Sequence, residues 1–477
     1  MNKGKINHAN RFAAVLSIAI LVNLVFYKLP DSIFNIPIKK VDLLSDIRGV
    51  VSGDTSDNVI LLTPVVVSGE AVSPDTLNRR TLAAIGNPAG LNHADSAASP
   101  NNSRNNTEIL SITAIEDFTL EHNGLQRFFT ALDNIDRLER PVRIAFLGDS
   151  FIEGDILVAD FRAKMQEQYG GRGVGFVPVA SVIAQYRPTV KQSANGWNSY
   201  SIIKDRNKKY VLSGLQFEAA SNEASLQFQT VDMYPGLEEV SSIKFIYDRN
   251  VAADMIYKND TESFSYKLPP TDVVTQFELQ GHFTKGTLQF KNAKGLKALG
   301  IALEDNHGVV VDNFSIRGNS GIILSDLDGE SCRKLQQIRP YDLIVLQYGL
   351  NVASDSVREY SWYRNRMVTV ITHLQNCFPG ADILILGISD RSRNGQSTMP
   401  AVLSLLRAQR QMAENAEVTF CSIFAAMGGQ NSMIQYVKSN WASKDYTHLN
   451  FRGGHEIANA LYDALLTEKD LYDNVGK

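Results

Sequence analysis

An apolar strand runs into a glycine-containing turn in RIAFLGDSFIEGD (residues 143–155), and a helical pattern follows the turn. The turn begins with Gly148-Asp149-Ser150, so a small polar residue stands where the buried strand ends. The backbone would hold a serine at that place on the rim of a sheet, which suits a nucleophile. A Gly-Asp-Ser tripeptide carries little information by itself, so the interpretation depends on the rest of the chain.

Two further apolar runs, 341–348 and 382–387, have the length of buried strands. Strands that are apolar on both faces and alternate with helices are typical of a parallel sheet covered on both sides. We therefore predict an α/β domain with three layers. The helical patterns that border the strands lie at about 155–169, 354–376, 398–415 and 453–467.

Between about 187 and 305 the pattern changes to short segments in which apolar and polar residues alternate. Turn residues separate these segments, as in an antiparallel β-sandwich. Because strands of the parallel sheet come afterwards, we predict that the sandwich is inserted into the α/β domain. Its aromatic residues are interpreted as core and rim residues, with stacking on sugar rings as the alternative. They include Trp197, Tyr200, Tyr234 and Tyr257.

The N-terminus is apolar over residues 12–27, FAAVLSIAILVNLVFY, behind three basic residues. At ~1.5 Å per residue this is at the short end for a membrane span, and Arg11 and Lys28 can extend it by snorkelling. We predict an uncleaved signal anchor that forms a transmembrane helix, with a cleaved signal peptide and a buried core helix as alternatives. The preceding basic residues predict a cytoplasmic N-terminus and an extracytoplasmic folded domain, either periplasmic or at the cell surface.

Composition excludes several classes of protein. The 47 basic and 51 acidic residues give a net charge of −4, which provides no basic surface for nucleic acid. Cys332, Cys377 and Cys421 lie far apart without a Cys-x-x-Cys pair, so we expect neither a disulfide framework nor a zinc site. Two of the three lie within apolar segments and are expected to be buried thiols. We predict no metal and no cofactor.

A second polar motif lies near the C-terminus, in KDYTHLNFRGGHEIANAL (residues 444–461). Asp445 and His448 are three residues apart on a turn before a helix. This spacing lets the carboxylate contact one imidazole nitrogen while the other points outward, as the base of a hydroxyl nucleophile requires. The alternative is a helix cap with a surface histidine. The motif is the last loop of a domain whose first strand ends at Ser150, which favours a catalytic pair.

Two more loops could supply hydrogen-bond donors to an oxyanion. VLQYGLNVA (345–353) ends a buried strand before Asn351, whose amide is a donor, and VDNFSIRGNSG (311–321) offers the backbone N–H of Gly318. With the N–H of Ser150 these make three donors at one sheet edge, where sites of open α/β sheets form. The alternatives are a turn glycine at 318 and a helix cap at 351.

Two acidic residues that closely follow Ser150, Glu153 and Asp155, have the residue types of a glycosidase pair. Neither has a visible partner at a separate strand end, and we interpret Asp155 as a cap of the helix that follows.

Four motifs, in their order along the chain, resemble the four sequence blocks of the SGNH (GDSL-type) hydrolase superfamily. They are Gly148-Asp149-Ser150, Gly318, Gly349-x-Asn351 and Asp445-x-x-His448. The resemblance covers about residues 140–470. It is stronger to bacterial members that act on acetylated cell-wall or exopolysaccharide sugars and carry a β-rich, carbohydrate-binding-like module between the first and second blocks. Val352 departs from the pattern, which usually has an acidic residue there, and Gly321 is an alternative second-block glycine.

The resemblance implies a flavodoxin-like α/β/α domain and assigns roles to the site residues. Ser150 is the implied nucleophile, His448 the base and Asp445 the acid that orients it. Ser150, Gly318 and Asn351 form the implied oxyanion hole.

The patterns and the resemblance together predict five segments. They are a cytoplasmic tip and signal anchor (1–30), a flexible linker (31–110), the first part of the SGNH domain (111–186), the inserted β-sandwich (187–305) and the second part of the SGNH domain (306–477).

The expected function is a serine esterase that removes O-acetyl groups from an envelope polysaccharide, with peptidoglycan as one candidate. One alternative is an O-acetyltransferase that works with a membrane-bound acyltransferase partner. The other is a non-catalytic glycan-binding scaffold, which the intact serine, aspartate, histidine and asparagine disfavour. The expected partners are the acetylated glycan and, through the N-terminal helix, the membrane.

Overall fold

The computed structural model describes residues 114–475 and two short strands nearer the N-terminus. These strands, β1 (Ser32–Ile33) and β2 (Ile36–Pro37), pair with each other in antiparallel orientation. The predicted anchor at 12–27 and most of the predicted linker lie outside the described residues. Within the described part, no helix is both long and apolar enough to cross a membrane.

Residues 114–475 alternate strands and helices at both ends and consist mainly of strands in between. The strands are β3 (Glu116–Asp117), β4 (Val142–Gly148), β5 (Gly175–Pro178), β6 (Lys191–Asn195), β7 (Trp197–Ser201), β8 (Leu215–Ala219), β9 (Glu223–Gln229), β10 (Val240–Arg249), β11 (Asp254–Lys258), β12 (Ser263–Lys267), β13 (Thr275–Phe283), β14 (Lys285–Lys291), β15 (Lys297–Glu304), β16 (Val309–Ser315), β17 (Leu343–Gln347), β18 (Asp382–Gly387), β19 (Ser392–Arg393), β20 (Ser397–Thr398) and β21 (Thr419–Ser422). The helices are α1 (Gln126–Asp133), α2 (Val158–Tyr169), α3 (Gly329–Ile338), α4 (Ser361–Cys377), α5 (Pro400–Ala416), α6 (Ile423–Ala426), α7 (Ser432–Lys438) and α8 (Phe451–Val475).

One sheet has the strand order β16-β4-β17-β18-β21-β3. Its neighbours from β16 to β21 are parallel, and β3 is antiparallel at the edge. Every residue of β4, β17 and β18 is buried, because helices cover the sheet and leave no face for water. The predicted mixed α/β fold with a parallel sheet is confirmed.

Between β4 and β16 the chain forms two antiparallel sheets. The first has the order β13-β10-β15-β8-β7, with β5 also paired to β15, and the second has the order β12-β11-β14-β9-β6. The rings of Phe245 in the first sheet and Phe290 in the second lie 4.7 Å apart, so inner faces of the two sheets meet in one core. The segment boundaries stay predictions, and β5 pairs into the first sheet before the predicted boundary at residue 187.

Two aromatic residues of these sheets support the core interpretation. Tyr257 is buried. The indole N–H of Trp197 donates to the carbonyl of Ser225, and its ring packs edge-on against Phe290. Outside the two antiparallel sheets, Cys332, Cys377 and Cys421 are all buried, and none of them forms a disulfide.

A buried ion cluster ties the antiparallel sheets to the parallel one. Glu304, the last residue of β15, accepts hydrogen bonds from Arg143 in β4, Lys244 in β10 and Arg339 after α3. Arg339 also donates to Asp312 in β16. Burial raises the pKa of Glu304, but the three cations outweigh it and hold that pKa well below its usual range. The cluster therefore stays charged where the two parts of the fold meet.

Candidate active site

The loop that carries Ser150, here called the nucleophile loop (residues 149–157), begins where β4 ends. A Cβ on Gly148 would lie 2.9 Å from the carbonyl oxygen of Gln347 in the neighbouring strand, so a larger residue would not fit. The carboxylate of Asp149 is fully buried and accepts the N–H of Phe151 at 2.9 Å, which fixes the turn around Ser150. Ser150 itself is partly exposed, so its hydroxyl is held at the rim of the sheet as predicted.

The second loop is organised by the carboxylate of Asp445. Its Oδ1 accepts the backbone N–H groups of Thr447 at 2.9 Å and His448 at 3.0 Å. Its Oδ2 lies 2.6 Å from His448 Nδ1. One carboxylate therefore shapes the loop and orients the imidazole at the same time.

The helix that follows this loop packs unusually close to the nucleophile loop. A Cβ on Gly454, in the first turn of α8, would lie 1.9 Å from the carbonyl oxygen of Ile156. Only glycine permits this approach, and α8 also packs along α2. The sequence Gly453-Gly454 thus brings the loop that carries His448 to the end of β4.

The structure joins three of the predicted residues in one chain of hydrogen-bond distances. Ser150 Oγ lies 3.2 Å from His448 Nε2, and His448 Nδ1 lies 2.6 Å from Asp445 Oδ2. Burial raises the pKa of Asp445, but hydrogen bonds from the His448 side chain and from two backbone N–H groups outweigh this and lower it. The side chains of His448 and Asp445 are 43% and 48% exposed, so a ligand can reach them.

Asn351 and Gly318 lie in loops next to the serine. The Asn351 side-chain nitrogen donates to Asp149 Oδ2 at 2.8 Å and to the carbonyl of Asn319 at 3.0 Å, so both of its amide hydrogens are engaged. Gly318 is in a turn closed by a bond from the N–H of Asn319 to the carbonyl of Ile316, and its φ of +73° favours glycine. The structure places both residues around the nucleophile loop but records no contact of either with Ser150 Oγ among the described residues.

No protein-family model matches the chain, and no curated protein matches it. A solved structure entitled "Peptidoglycan O-acetylesterase in action, 5 min" superimposes with a TM-score of 0.61 at 20% sequence identity. The match covers 75% of this chain and 99% of that chain. The chain shares the fold of that solved structure.

Other solved structures match less of the chain. A family two carbohydrate esterase from Cellvibrio japonicus has a TM-score of 0.26 at 11% identity, covering 59% of this chain and 98% of that one. A salicylyl-acyltransferase from a tetracycline biosynthetic pathway has a TM-score of 0.30 at 12% identity, covering 62% and 98%. These scores are too low to support an argument from either structure.

Asp149 takes a part in the candidate site that the sequence analysis did not assign. Burial raises its pKa to about 6, against hydrogen bonds from the Phe151 N–H and the Asn351 amide that lower it. It is the acceptor that holds Asn351 beside the serine turn. The sequence contains a signal for this role, because Asp149 is the middle residue of the Gly-Asp-Ser motif.

The interpretation of Asp155 as a helix cap is wrong. Its backbone has φ +67°, and its carboxylate is fully buried among cationic and polar side chains from distant parts of the chain. The helix that follows has no side-chain cap. The donors to Asp155 are Arg162 at 3.3 Å, Arg187 at 3.0 Å, Thr189 at 2.5 Å and Asn313 at 2.7 Å.

The other carboxylate of that suggested glycosidase pair, Glu153, forms an ion pair with Arg317. Within the described part of the chain, no group of three or more His, Cys, Asp or Glu side chains is placed to hold a metal ion.

Proposed function

We propose that the protein is a serine esterase that removes O-acetyl groups from an envelope polysaccharide, with peptidoglycan as the leading candidate. The observation that carries this proposal is the aligned series of Ser150 Oγ, His448 Nε2, His448 Nδ1 and Asp445 Oδ2. The superposition on a structure whose title names a peptidoglycan O-acetylesterase supports it. The extracytoplasmic location that the substrate requires rests on the apolar segment 12–27 alone.

In the first half-reaction, Ser150 Oγ attacks the carbonyl carbon of the acetyl group while His448 Nε2 accepts the serine proton. Asp445 holds the Nδ1–H and stabilises the imidazolium. When the tetrahedral intermediate collapses, the bond from carbon to the sugar oxygen breaks. The sugar hydroxyl leaves with the proton from His448, and acetyl-Ser150 remains.

In the second half-reaction, water attacks the acetyl carbon and gives a proton to His448. The bond to Ser150 Oγ breaks, the serine recovers its proton from His448, and acetic acid departs and gives its remaining proton to solvent as acetate. Water can reach the acyl-enzyme because the His448 side chain is 43% exposed.

The developing oxyanion would be held by the backbone N–H of Ser150, the backbone N–H of Gly318 and the Asn351 amide. Both amide hydrogens of Asn351 are engaged in the structure, so one must be released. The contact with the neutral carbonyl of Asn319 is the weaker one, because hydrogen bonds to a charged acceptor are stronger. Asn351 would therefore keep Asp149 and exchange Asn319 for the oxyanion.

We expect Asn351→Ala to lower kcat for p-nitrophenyl acetate by about 10²-fold, because removing one oxyanion donor costs that much in other serine hydrolases. KM should change much less, since the interaction forms mainly in the transition state. Steady-state kinetics measure both constants. Asn365→Ala, an exposed asparagine on α4, is the matched control and should retain wild-type kcat. A wild-type kcat for Asn351→Ala would remove Asn351 from the oxyanion hole.

Hydrolysis and transfer diverge at the acyl-enzyme, because a transferase must place a sugar hydroxyl where water would attack. We expect the protein alone to release acetate from O-acetylated peptidoglycan without any acceptor, measured as free acetate by chromatography. If release stays at background until a membrane acyltransferase and an acceptor glycan are present, the protein is a transferase and the esterase proposal fails. An absence of turnover under both conditions would leave the glycan-binding scaffold.

A further inference from the structure

A polar groove of about 380 Å³ lies on the second antiparallel sheet. None of the residues of the candidate active site lines it. This volume falls within the range of ~300–1,000 Å³ that is usual for ligand sites. The groove is bordered by β6, β9 and β14 and by the turn that follows β11. Its lining includes Lys191, Ser193, Gln227, Gln229, Lys258, Lys285 and Thr287.

The strand register places these side chains in two rows on the outer face of the sheet. Lys191, Gln229 and Lys285 are paired across three strands. The second row lies two residues away on β6, β9 and β14 and extends to β11. It consists of Ser193, Gln227, Thr287 and Lys258. The residues between the two rows on β9 and β14, Phe228 and Gly286, are buried, which confirms that the rows face outward.

Two of the lysines in this groove have a positive charge without a carboxylate partner. Lys285 forms an ion pair with Asp260 at 2.5 Å. Neither Lys191 nor Lys258 has an ion pair within residues 114–475. The groove therefore offers two ammonium groups that have no carboxylate partner in the described part of the chain, each with three hydrogen-bond donors.

The remaining chemistry of the groove selects the class of ligand. Gln227 and Gln229 can donate to and accept from hydroxyl groups, as a sugar chain requires. Phe228 also borders the groove but is buried in the sandwich core, so the described lining has no exposed ring on which an uncharged sugar could stack. Ammonium groups beside amides match carboxylates beside hydroxyls.

The segment that leads into the groove is anchored to the residues that follow Ser150. Arg187 and Thr189 both donate to Asp155, which lies five residues after Ser150. Lys191 begins β6 only two residues after Thr189, a distance of about 7 Å for extended chain.

We propose that this groove binds a carboxylate-bearing glycan chain, with Lys191 and Lys258 contacting carboxylates and with Gln227 and Gln229 contacting hydroxyls. That the bound chain is also the chain that loses acetyl groups rests on the proposed function.

The test measures binding of the full-length protein to polygalacturonate by isothermal titration calorimetry, with uncharged dextran as the comparison polymer. We expect binding to polygalacturonate that weakens between 20 and 300 mM NaCl, because the lysines are screened by salt. We expect no binding to dextran. The double variant Lys191→Gln/Lys258→Gln should lose about tenfold in affinity, or about 1.4 kcal/mol, because it removes two charge pairs that are only partly screened by water.

The matched control is Lys291→Gln/Lys294→Gln, which removes two exposed charges at the far end of β14 and in the next turn. It should bind like the wild type. Equal losses in both double variants, full affinity in Lys191→Gln/Lys258→Gln, or equal binding of dextran would each overturn the proposal.

Hydrolysis of p-nitrophenyl acetate by the wild type tests the esterase separately. Turnover of this small ester without polygalacturonate binding would overturn the proposed ligand of the groove and leave the proposed esterase activity standing. Polygalacturonate binding without turnover supports the groove and overturns the esterase.

Discussion

Ser150→Ala should lower acetate release from acetylated glycan by at least about 10³-fold, because it removes the whole acyl-enzyme route. The alanine leaves His448 and Asp445 with their own 2.6 Å contact, so the base and its orienting acid remain in place without a nucleophile. Residual catalysis would come from the oxyanion donors and from binding alone. Release is measured as acetate formed per enzyme at saturating substrate.

A matched control and a double variant make the result specific. Ser439→Ala, an exposed serine after α7, should retain full activity. Adding His448→Ala to Ser150→Ala should cost little more than Ser150→Ala alone, because residues that act as one unit are not additive. The proposed acyl-Ser150 route would be contradicted if the double variant lost activity by the product of the two single losses. It would also be contradicted if Ser150→Ala kept its activity.

The parallel sheet could be predicted because its strands are apolar on both faces. The run around β4 and the runs around β17 and β18 contain few polar residues, and each is followed by a helical pattern. In a folded domain such a run has few possible structures other than a buried strand, since both of its faces must be kept from water. The strand β5 escaped prediction because four residues, Gly175–Pro178, are too short to show a period.

The residues of the candidate site could be predicted for a similar reason, since their signals are local. Ser150 follows a strand end, and Asp445 and His448 share one turn, so each half of the site can be recognised within a few residues. The structure adds the link between them, which depends on the approach of Gly454 to Ile156. That contact joins residues about 300 positions apart, and no local pattern encodes it.

The surroundings of Asp155 could not be predicted from local signals. An aspartate just before a helix has the position of an N-cap, and capping is the more frequent role. The residues that instead surround Asp155 come from α2, the segment before β6, and β16. Its left-handed φ of +67° turns the carboxylate away from the helix end and toward these donors.

This buried aspartate leads to a second large effect. Asp155→Asn should lower the free energy of unfolding by about 3–5 kcal/mol, because Arg162 and Arg187 would lose their carboxylate in a buried site. Their side chains are only 1% and 7% exposed, so water cannot replace the lost partner. Urea unfolding at pH 7 measures the difference. The matched control is Asp160→Asn in α2, whose partner His455 is 50% exposed, and it should cost no more than about 1 kcal/mol.

The pH dependence of this difference separates the charge of Asp155 from its packing. Burial raises the pKa of Asp155, but Arg187, Arg162 and two neutral donors outweigh burial and hold it well below the usual range. A carboxyl whose pKa is lowered by folding stabilises the protein above its ordinary pKa of about 4, and that contribution fades as the pH falls below it. The gap between wild type and Asp155→Asn should therefore narrow below about pH 4. A gap that stays constant over that range would show that Asp155 acts through packing alone, because an uncharged contact does not respond to protons.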